Sequence, residues 1–289
     1  MILSEALRSV TQTLRGAEIA DASVEAEVLL GHVLAMSKAG LYTEPERSLT
    51  SAQTERLRLL VRRRLDHEPA AYILGHCEFY GIDFDVDFHT LIPRPETELL
   101  VEKAVELAQG ISGKGGQITI ADIGTGCGAI AISLALALPQ AKIYATDVSS
   151  SALKVAEANC RRHGVNGRVE TLQGNLLEPL PQAVDVIVAN LPYVKDCEFA
   201  GLSTEIKGYE PTIALAGGRD GLDKIREMLE QIRGERVAQR GQRPAYLLLE
   251  IGQGQAGMVT SLVNEYFPQA SIELIPDLGD IERVAKIGL

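Results

Sequence analysis

The stretch Asp122-Ile123-Gly124-Thr125-Gly126-Cys127-Gly128-Ala129 decides the fold. Its first two residues close an apolar run from Ile118 that predicts a strand, and beyond it an apolar helical pattern extends to about Leu138. Glycines between the two let the chain turn sharply and let a ligand reach the backbone without meeting a Cβ. Downstream, Lys142 to Thr146 predicts a second strand, Ser150 to His163 a helix and Arg168 to Leu172 a third strand. Val184 to Ala189 is the fourth, apolar nearly throughout, as a central parallel strand buried on both faces must be. Ala245 to Ile251 is the fifth, and Ile272 to Pro276 with Arg283 to Ile287 are expected to close the sheet as an antiparallel pair. This alternation predicts an α/β fold with a doubly wound, mostly parallel, seven-stranded sheet. Ligands bind such sheets beyond the carboxyl ends of the strands.

Upstream the pattern differs. Ala26, Leu29, Leu30 and Val33 share one helical face, with Asp21 or Ser23 as cap. Leu57, Leu60, Val61 and Leu65 share another, opened by Thr50 with Gln53 at capping-box spacing. Residues 1–75 are therefore expected to form a small all-helical domain. The Arg62-Arg63-Arg64 triplet reads as a self-paired surface, since two of the three fall off the apolar stripe and Asp66 and Glu68 follow at once. In residues 76–90, Phe84, Val86 and Phe88 alternate with Asp83, Asp85 and Asp87, the period of a half-buried strand. With Glu78-Phe79-Tyr80-Gly81 before it, this segment is expected to be a hairpin linking the helical domain to a second domain over 91–289. His76 and His89 read as hairpin surface or packing residues.

The 289 residues suit two domains, and 46% hydrophobic with 23% charged residues suits a globular chain with a core. A net charge of −11 speaks against direct nucleic-acid binding, which needs a basic face. No apolar run reaches the ~18 residues of a membrane span. The N-terminal MILSEALRSVTQTLRG is amphipathic and of mixed charge, a helix rather than a signal. Cys77, Cys127, Cys160 and Cys197 show no paired spacing, which predicts a reduced, cytoplasmic protein with no metal.

The chemistry is expected at the strand ends. The glycine turn is followed by Asp147, 19 residues beyond Gly128, at the end of the second strand. An acid there can accept hydrogen bonds from both hydroxyls of an adenosine ribose. The pair points to an adenosine cofactor without separating S-adenosylmethionine from NAD, and a purely structural turn is the plain alternative. The fourth strand ends in Asn190-Leu191-Pro192-Tyr193, which no dehydrogenase needs. The Asn190 oxygen and the Leu191 carbonyl can each accept one N–H of a planar amino group, Pro192 stiffens the turn, and the Tyr193 ring can stack on the plane.

With these residues the chain resembles the methyltransferases that modify the glutamine side-chain amide of class 1 peptide chain release factors. The resemblance runs over almost the whole chain. It includes Glu68-Pro69-Ala70-Ala71-Tyr72-Ile73-Leu74-Gly75, Leu91-Ile92-Pro93-Arg94-Pro95-Glu96-Thr97-Glu98, Tyr209-Glu210-Pro211, Gly217-Gly218-x-Asp220-Gly221 and Leu249-Glu250-Ile251-Gly252. It implies a class I S-adenosylmethionine-dependent methyltransferase sheet, with S-adenosylhomocysteine as product. It implies a cofactor site of Gly124, Thr125, Gly126, Cys127, Gly128, Asp147, Asn175 and Asn190, in which Cys127 is a small side chain of the turn and Asn175 lies near the adenine. Catalysis would rest on Asn190, Leu191, Pro192 and Tyr193. The expected partner is a class 1 release factor, met by a monomer through its helical domain. Two positions depart from the family pattern: Leu191 stands where proline is usual, and Asn175 where aspartate is common. Leu191 still supplies a carbonyl but does not fix φ. The competing readings are a glutamine methyltransferase acting on a ribosomal protein, an adenine amino-methyltransferase, a dehydrogenase, and a non-catalytic module on the same fold.

Overall fold

A computed structural model describes residues 1–112, 117–234 and 244–289 of the chain. Its N-terminal part is helical: α1 (Leu3–Gly16), α2 (Ala22–Leu34), α3 (Lys38–Thr43), α4 (Ser51–Leu65) and α5 (Ala70–Leu74). The expected faces are the buried ones, with Ala26, Leu29 and Leu30 fully excluded from solvent and Leu57 and Leu60 beneath α4. The capping box forms: Thr50 Oγ1 accepts from the Gln53 amide at 3.2 Å, and the Gln53 side chain accepts from the Thr50 amide at 3.0 Å. A cap of this kind is worth about 1 kcal/mol. Asp21 occupies the N-cap position of α2 but has φ 50° and makes no side-chain cap bond.

The arginine triplet corrects its sequence reading in one position. Arg63 pairs with Glu68 as expected, but Arg64, the arginine on the apolar stripe, is 2% exposed and lies between Glu25 and Glu205. Glu205 belongs to a short segment, Ser203–Tyr209, that is part of this helical unit although it follows 141 residues later in the chain. The same segment donates a hydrogen bond from the Tyr209 hydroxyl to the Asp66 carbonyl at 2.7 Å. The helical unit thus comprises Met1–His76 and Ser203–Tyr209, the second unit Cys77–Leu202 and Glu210–Leu289.

The second unit carries most of the hairpin β1 (His76–Phe79) and β2 (Ile82–Asp85). Strand β2 ends earlier than the alternation suggests. Asp87 accepts the backbone amide of His89 at 2.9 Å and its carbonyl accepts that of Thr90 at 3.0 Å, a side-chain-supported turn that leaves Phe88 64% exposed. Asn159 ties the hairpin down: its Oδ1 accepts from the Asp85 amide at 2.8 Å, and its Nδ2 donates to the Asp85 carbonyl and to the Cys127 carbonyl, each at 2.9 Å.

The sheet contains β3 (Thr119–Ile123), β4 (Lys142–Asp147), β5 (Val169–Gln173), β6 (Val186–Ala189), β7 (Tyr246–Glu250), β8 (Ser271–Pro276) and β9 (Glu282–Gly288). Their order is β5-β4-β3-β6-β7-β9-β8, parallel except for β9, which runs antiparallel to both neighbours. Every expected strand is present within about two residues of its predicted ends. Helices α6 (Glu98–Ser112), α7 (Ala129–Ala137), α8 (Ser150–Arg162), α10 (Asp223–Arg233) and α11 (Ala256–Tyr266) belong to the same unit, while α9 (Thr204–Tyr209) lies in the helical one. The chain winds from β3 outward to β5, then returns to β6 on the other side of β3. That reversal opens a crevice between the carboxyl ends of β3 and β6, where Ile123 is level with Ala189. The glycine turn leaves one lip and Asn190 the other.

Candidate active site

The lip after β3 is shaped by backbone. The Gly124 and Thr125 amides both donate to the Thr146 carbonyl at 2.9 Å, which folds the turn over β4. Asp147, last in β4, accepts from the Gly126 amide at 2.9 Å and the Ser149 amide at 2.8 Å. Burial pushes the Asp147 carboxyl above its ordinary pKa, while these amide bonds oppose the rise. Each carboxylate oxygen retains lone-pair capacity for a further donor. Gly126 has φ 56° and nothing lies within 4 Å of the place a Cβ would occupy, so any side chain there would enter the crevice. Deeper in the turn, Asp122 is fully buried, accepts from the Thr125 hydroxyl at 2.6 Å and the Ala131 amide at 3.1 Å, and is pushed up to about 7 by desolvation.

The lip after β6 is shaped by side chains. Asn190 Nδ2 donates to Thr97 Oγ1 at 3.1 Å, which leaves Asn190 Oδ1 as an acceptor for another molecule. Thr97 closes the 3₁₀ turn Pro95–Thr97 before α6 and is 4% exposed. The Leu191 side chain is 4% exposed and packs in the core under the sheet ends. Tyr193 is set back, its hydroxyl 3.5 Å from Glu250 Oε1, and burial pushes its pKa up to about 12. Its carbonyl accepts from Gln255 Nε2 at 3.0 Å. Gly217 and Gly221 back this turn closely: a Cβ on Gly217 would stand 2.8 Å from the Pro192 carbonyl oxygen, and one on Gly221 2.4 Å from that of Tyr193. Only glycine permits that approach.

Gly124, Gly126, Asp147, Asn175, Asn190, Leu191 and Pro192 line one cavity. Asn175 donates through Nδ2 to Glu227, so its oxygen too is left to accept. Thr125, Cys127, Gly128 and Tyr193 are not among the lining residues. Thr125 and Cys127 are buried behind the turn, and desolvation pushes the Cys127 thiol up to about 12, so it serves as a small packing group. His89, read from sequence as surface or packing, lines the cavity beside Thr90 and Leu91. The donor and acceptor set suits an adenosine ligand: paired carboxylate oxygens for a ribose, a side-chain-free turn for close approach, and an amide oxygen for an exocyclic amine.

Sequence reading from the residues alone misses two buried acids around the clamp. Glu250, at the end of β7, is 3% exposed and desolvation pushes it up to about 7, opposed by hydrogen bonding from Thr97 and Tyr193 and by the charge of Arg283. Its Oε2, like Asp122 Oδ1, has no hydrogen-bond partner among the described residues. Glu210, 5% exposed, pairs with Arg94 and accepts from the Ile92 amide at 3.4 Å, joining the segment before α6 to the loop after the clamp. An acid within an otherwise apolar strand end, Leu247-Leu248-Leu249-Glu250, was the available signal for the first of them.

The family model described as the PrmC N-terminal domain matches residues 5–75, and the methyltransferase small domain model matches residues 97–205. A release factor glutamine methyltransferase of Koribacter versatilis (strain Ellin345) is 37% identical over 286 residues, covering 98% of this chain and 97% of that one. One from Moorella thermoacetica is 38% identical over 285 residues, again 98% and 97%. Among solved structures, the human METTL16 catalytic domain in complex with MAT2A 3'UTR hairpin 6 aligns with a TM-score of 0.56 at 14% identity, over 83% of this chain and 82% of that one. That likeness concerns the class I methyltransferase sheet alone. With more than a third of its residues shared along nearly its full length, and with a helical N-terminal family model as well as a methyltransferase model matched, the chain belongs to the release factor glutamine methyltransferase family.

Proposed function

We propose that the chain transfers a methyl group from S-adenosylmethionine to the side-chain amide nitrogen of the glutamine in the GGQ motif of class 1 peptide chain release factors, releasing S-adenosylhomocysteine. The observation that carries this reading is the Asn190 amide, held through its nitrogen by Thr97 so that its oxygen is free at the edge of the cavity. When bound, the cofactor supplies a methyl group on a positively charged sulfur, and the C–S electron pair leaves with sulfur.

An amide nitrogen is a poor nucleophile because its lone pair is delocalised into the carbonyl. On this reading Asn190 Oδ1 and the Leu191 carbonyl each accept one N–H of the substrate amide. Both acceptors favour the positive charge that grows on nitrogen, and together they aim the lone pair into the crevice. Pro192 holds the turn, and Tyr193, expected from sequence to stack on the amide but set back from the cavity, supports the turn from behind through its carbonyl's bond with Gln255. Once methylated, the nitrogen gives up one proton to solvent, so no strong base has to act before transfer. Asp147 binds the ribose, Asn175 accepts from the adenine amine, and Gly124 to Gly128 form the turn against which the cofactor lies. The helical unit recognises the protein substrate, and the enzyme works as a cytoplasmic monomer without direct nucleic-acid contact.

The test offers purified release factor, ribosomal proteins and adenine-containing DNA together with labelled cofactor. Mass spectrometry is expected to find the label on the release-factor glutamine. Label on a ribosomal protein, a lysine or a nucleobase, with that glutamine unmodified, overturns the reading.

A further inference from the structure

The loop after β5 brings Asn175 to the cavity, and α10 holds that loop with two side chains one helical turn apart. Gln231 Oε1 accepts from the Leu177 amide at 2.9 Å, and Glu227 Oε1 accepts from Asn175 Nδ2 at 2.5 Å. The second bond carries a choice that the first does not. A side-chain amide has a donor end and an acceptor end, and an ionised carboxylate can only accept. Only the NH₂ end of Asn175 can therefore face Glu227. The other carboxylate oxygen, Oε2, accepts from Lys224 Nζ at 2.7 Å, one turn back on the same helix. Bonds from Lys224 and Asn175 hold the Glu227 carboxyl below the ordinary range, so it is ionised at neutral pH. Lys224 and Asn175 line the cavity, whereas Glu227 is not among its lining residues.

We infer that Glu227, anchored by Lys224, is a positioning residue that fixes the Asn175 amide with its oxygen left for the cofactor, and so selects an adenine amine over an oxo group at the same position. The inference rests on the proposed S-adenosylmethionine site. An exocyclic amine donates to such an oxygen, while an oxo group would meet it with no hydrogen between them. A flipped Asn175 would reverse the preference, but it would also set its own oxygen against the Glu227 carboxylate. The same geometry accounts for asparagine at position 175. An aspartate there, common in the family pattern, would set a second carboxylate against Glu227. Here the negative charge stands on α10 instead, one hydrogen bond back from the ligand.

The experiment compares wild type, Glu227→Gln, Asn175→Asp and the double variant Asn175→Asp/Glu227→Gln. Calorimetry measures the affinity of each for S-adenosylhomocysteine and for S-inosylhomocysteine, in which an oxo group replaces the amine, and thermal melting follows the ligand-free proteins. Wild type is expected to prefer the adenine ligand by about tenfold, the worth of one hydrogen bond. In Glu227→Gln, Lys224 can only donate and so claims the remaining oxygen, which leaves an NH₂ facing Asn175 and turns that amide over. The preference is expected to vanish or reverse, with little change in melting temperature. Asn175→Asp is expected to lower both the melting temperature and the affinity for S-adenosylhomocysteine, because two carboxylates then face each other. The double variant restores both, together with the adenine preference, since the new NH₂ donates to the new carboxylate. A folded Glu227→Gln that keeps the wild-type preference, a wild type without preference, or a double variant no better than Asn175→Asp overturns the inference while leaving the cofactor reading standing. A wild type that binds neither ligand overturns the cofactor reading and the inference with it.

Discussion

At the ends of β3 and β4 the working geometry is made by backbone: two amides on the Thr146 carbonyl, two amides on the Asp147 carboxylate, and a turn without side chains. At the ends of β6 and β7 it is made by side chains, with Asn190 held by Thr97 and Tyr193 facing the buried Glu250. A backbone-built half tolerates change at its surface but not in its turn. A side-chain-built half can lose function to a single atom while its fold stays intact. Substitutions in the two halves should thus separate binding from turnover.

The largest effect is expected at Asn190. Asn190→Ala should lower turnover by roughly 10²-fold or more, the scale of a lost contact to developing charge, with S-adenosylmethionine binding kept, as calorimetry against steady-state rates would show. Loss of both together would erase the distinction between the halves. Asp147→Ala comes next and acts on the other side. Removing both ribose acceptors should cost on the order of 2–3 kcal/mol of cofactor binding. Because the carboxylate also holds the Gly126 and Ser149 amides, a small fall in melting temperature should accompany it. Equal cofactor affinity in wild type and variant would place the ribose elsewhere.

A third expectation concerns pH. Asp122 and Glu250 lie one in each half, and burial pushes both up to about 7. Unfolded, they titrate near 4, so the folded state binds more protons across the interval. Their contribution to stability is complete below pH ~4 and is lost as pH rises through ~7. Asp122→Asn and Glu250→Gln mimic the protonated forms, and each should flatten the decline of melting temperature between those limits. A decline as steep as wild type in both would show that other groups cause it. The smallest effect belongs to Leu191→Pro. Stiffening the turn gains about 0.4–1 kcal/mol, while shedding part of a buried side chain costs a similar amount, about 0.8 kcal/mol per methylene. Turnover and melting temperature should both stay near wild type, and a folded variant without activity would give the leucine side chain itself a role.

The same contrast explains what could be read from sequence. Strands β3 to β9, the α/β class and the capping box at Thr50 were legible because period, composition and spacing are local. So were Gly124, Gly126, Asp147 and Asn190, each marked by its place at a strand end. Thr97 and Glu250 entered only inside motifs of resemblance, for their partners lie 93 residues apart or on a neighbouring strand, which no local pattern encodes. Phe88 misled the alternation because Asp87 captured two backbone amides and ended the strand, counting the one accepted by its own carbonyl. Arg64 misled the charge reading because its second carboxylate partner lies 141 residues downstream.

That last pairing bears on the order in which the chain is made. A polypeptide leaves the ribosome amino end first, at about 5–20 residues per second. The five N-terminal helices are complete long before Glu205, and Arg64 meets Glu25 at once but waits on the order of 10 s for its other partner. During that interval a guanidinium destined for burial has only one carboxylate beside it, and removing a partner from a buried ion pair costs about 3–5 kcal/mol at full burial, less here because Glu205 is 33% exposed. A unit begun before the sheet is therefore finished only after much of it, and a chain broken off before residue 205 carries a helical unit that lacks one of its own carboxylates.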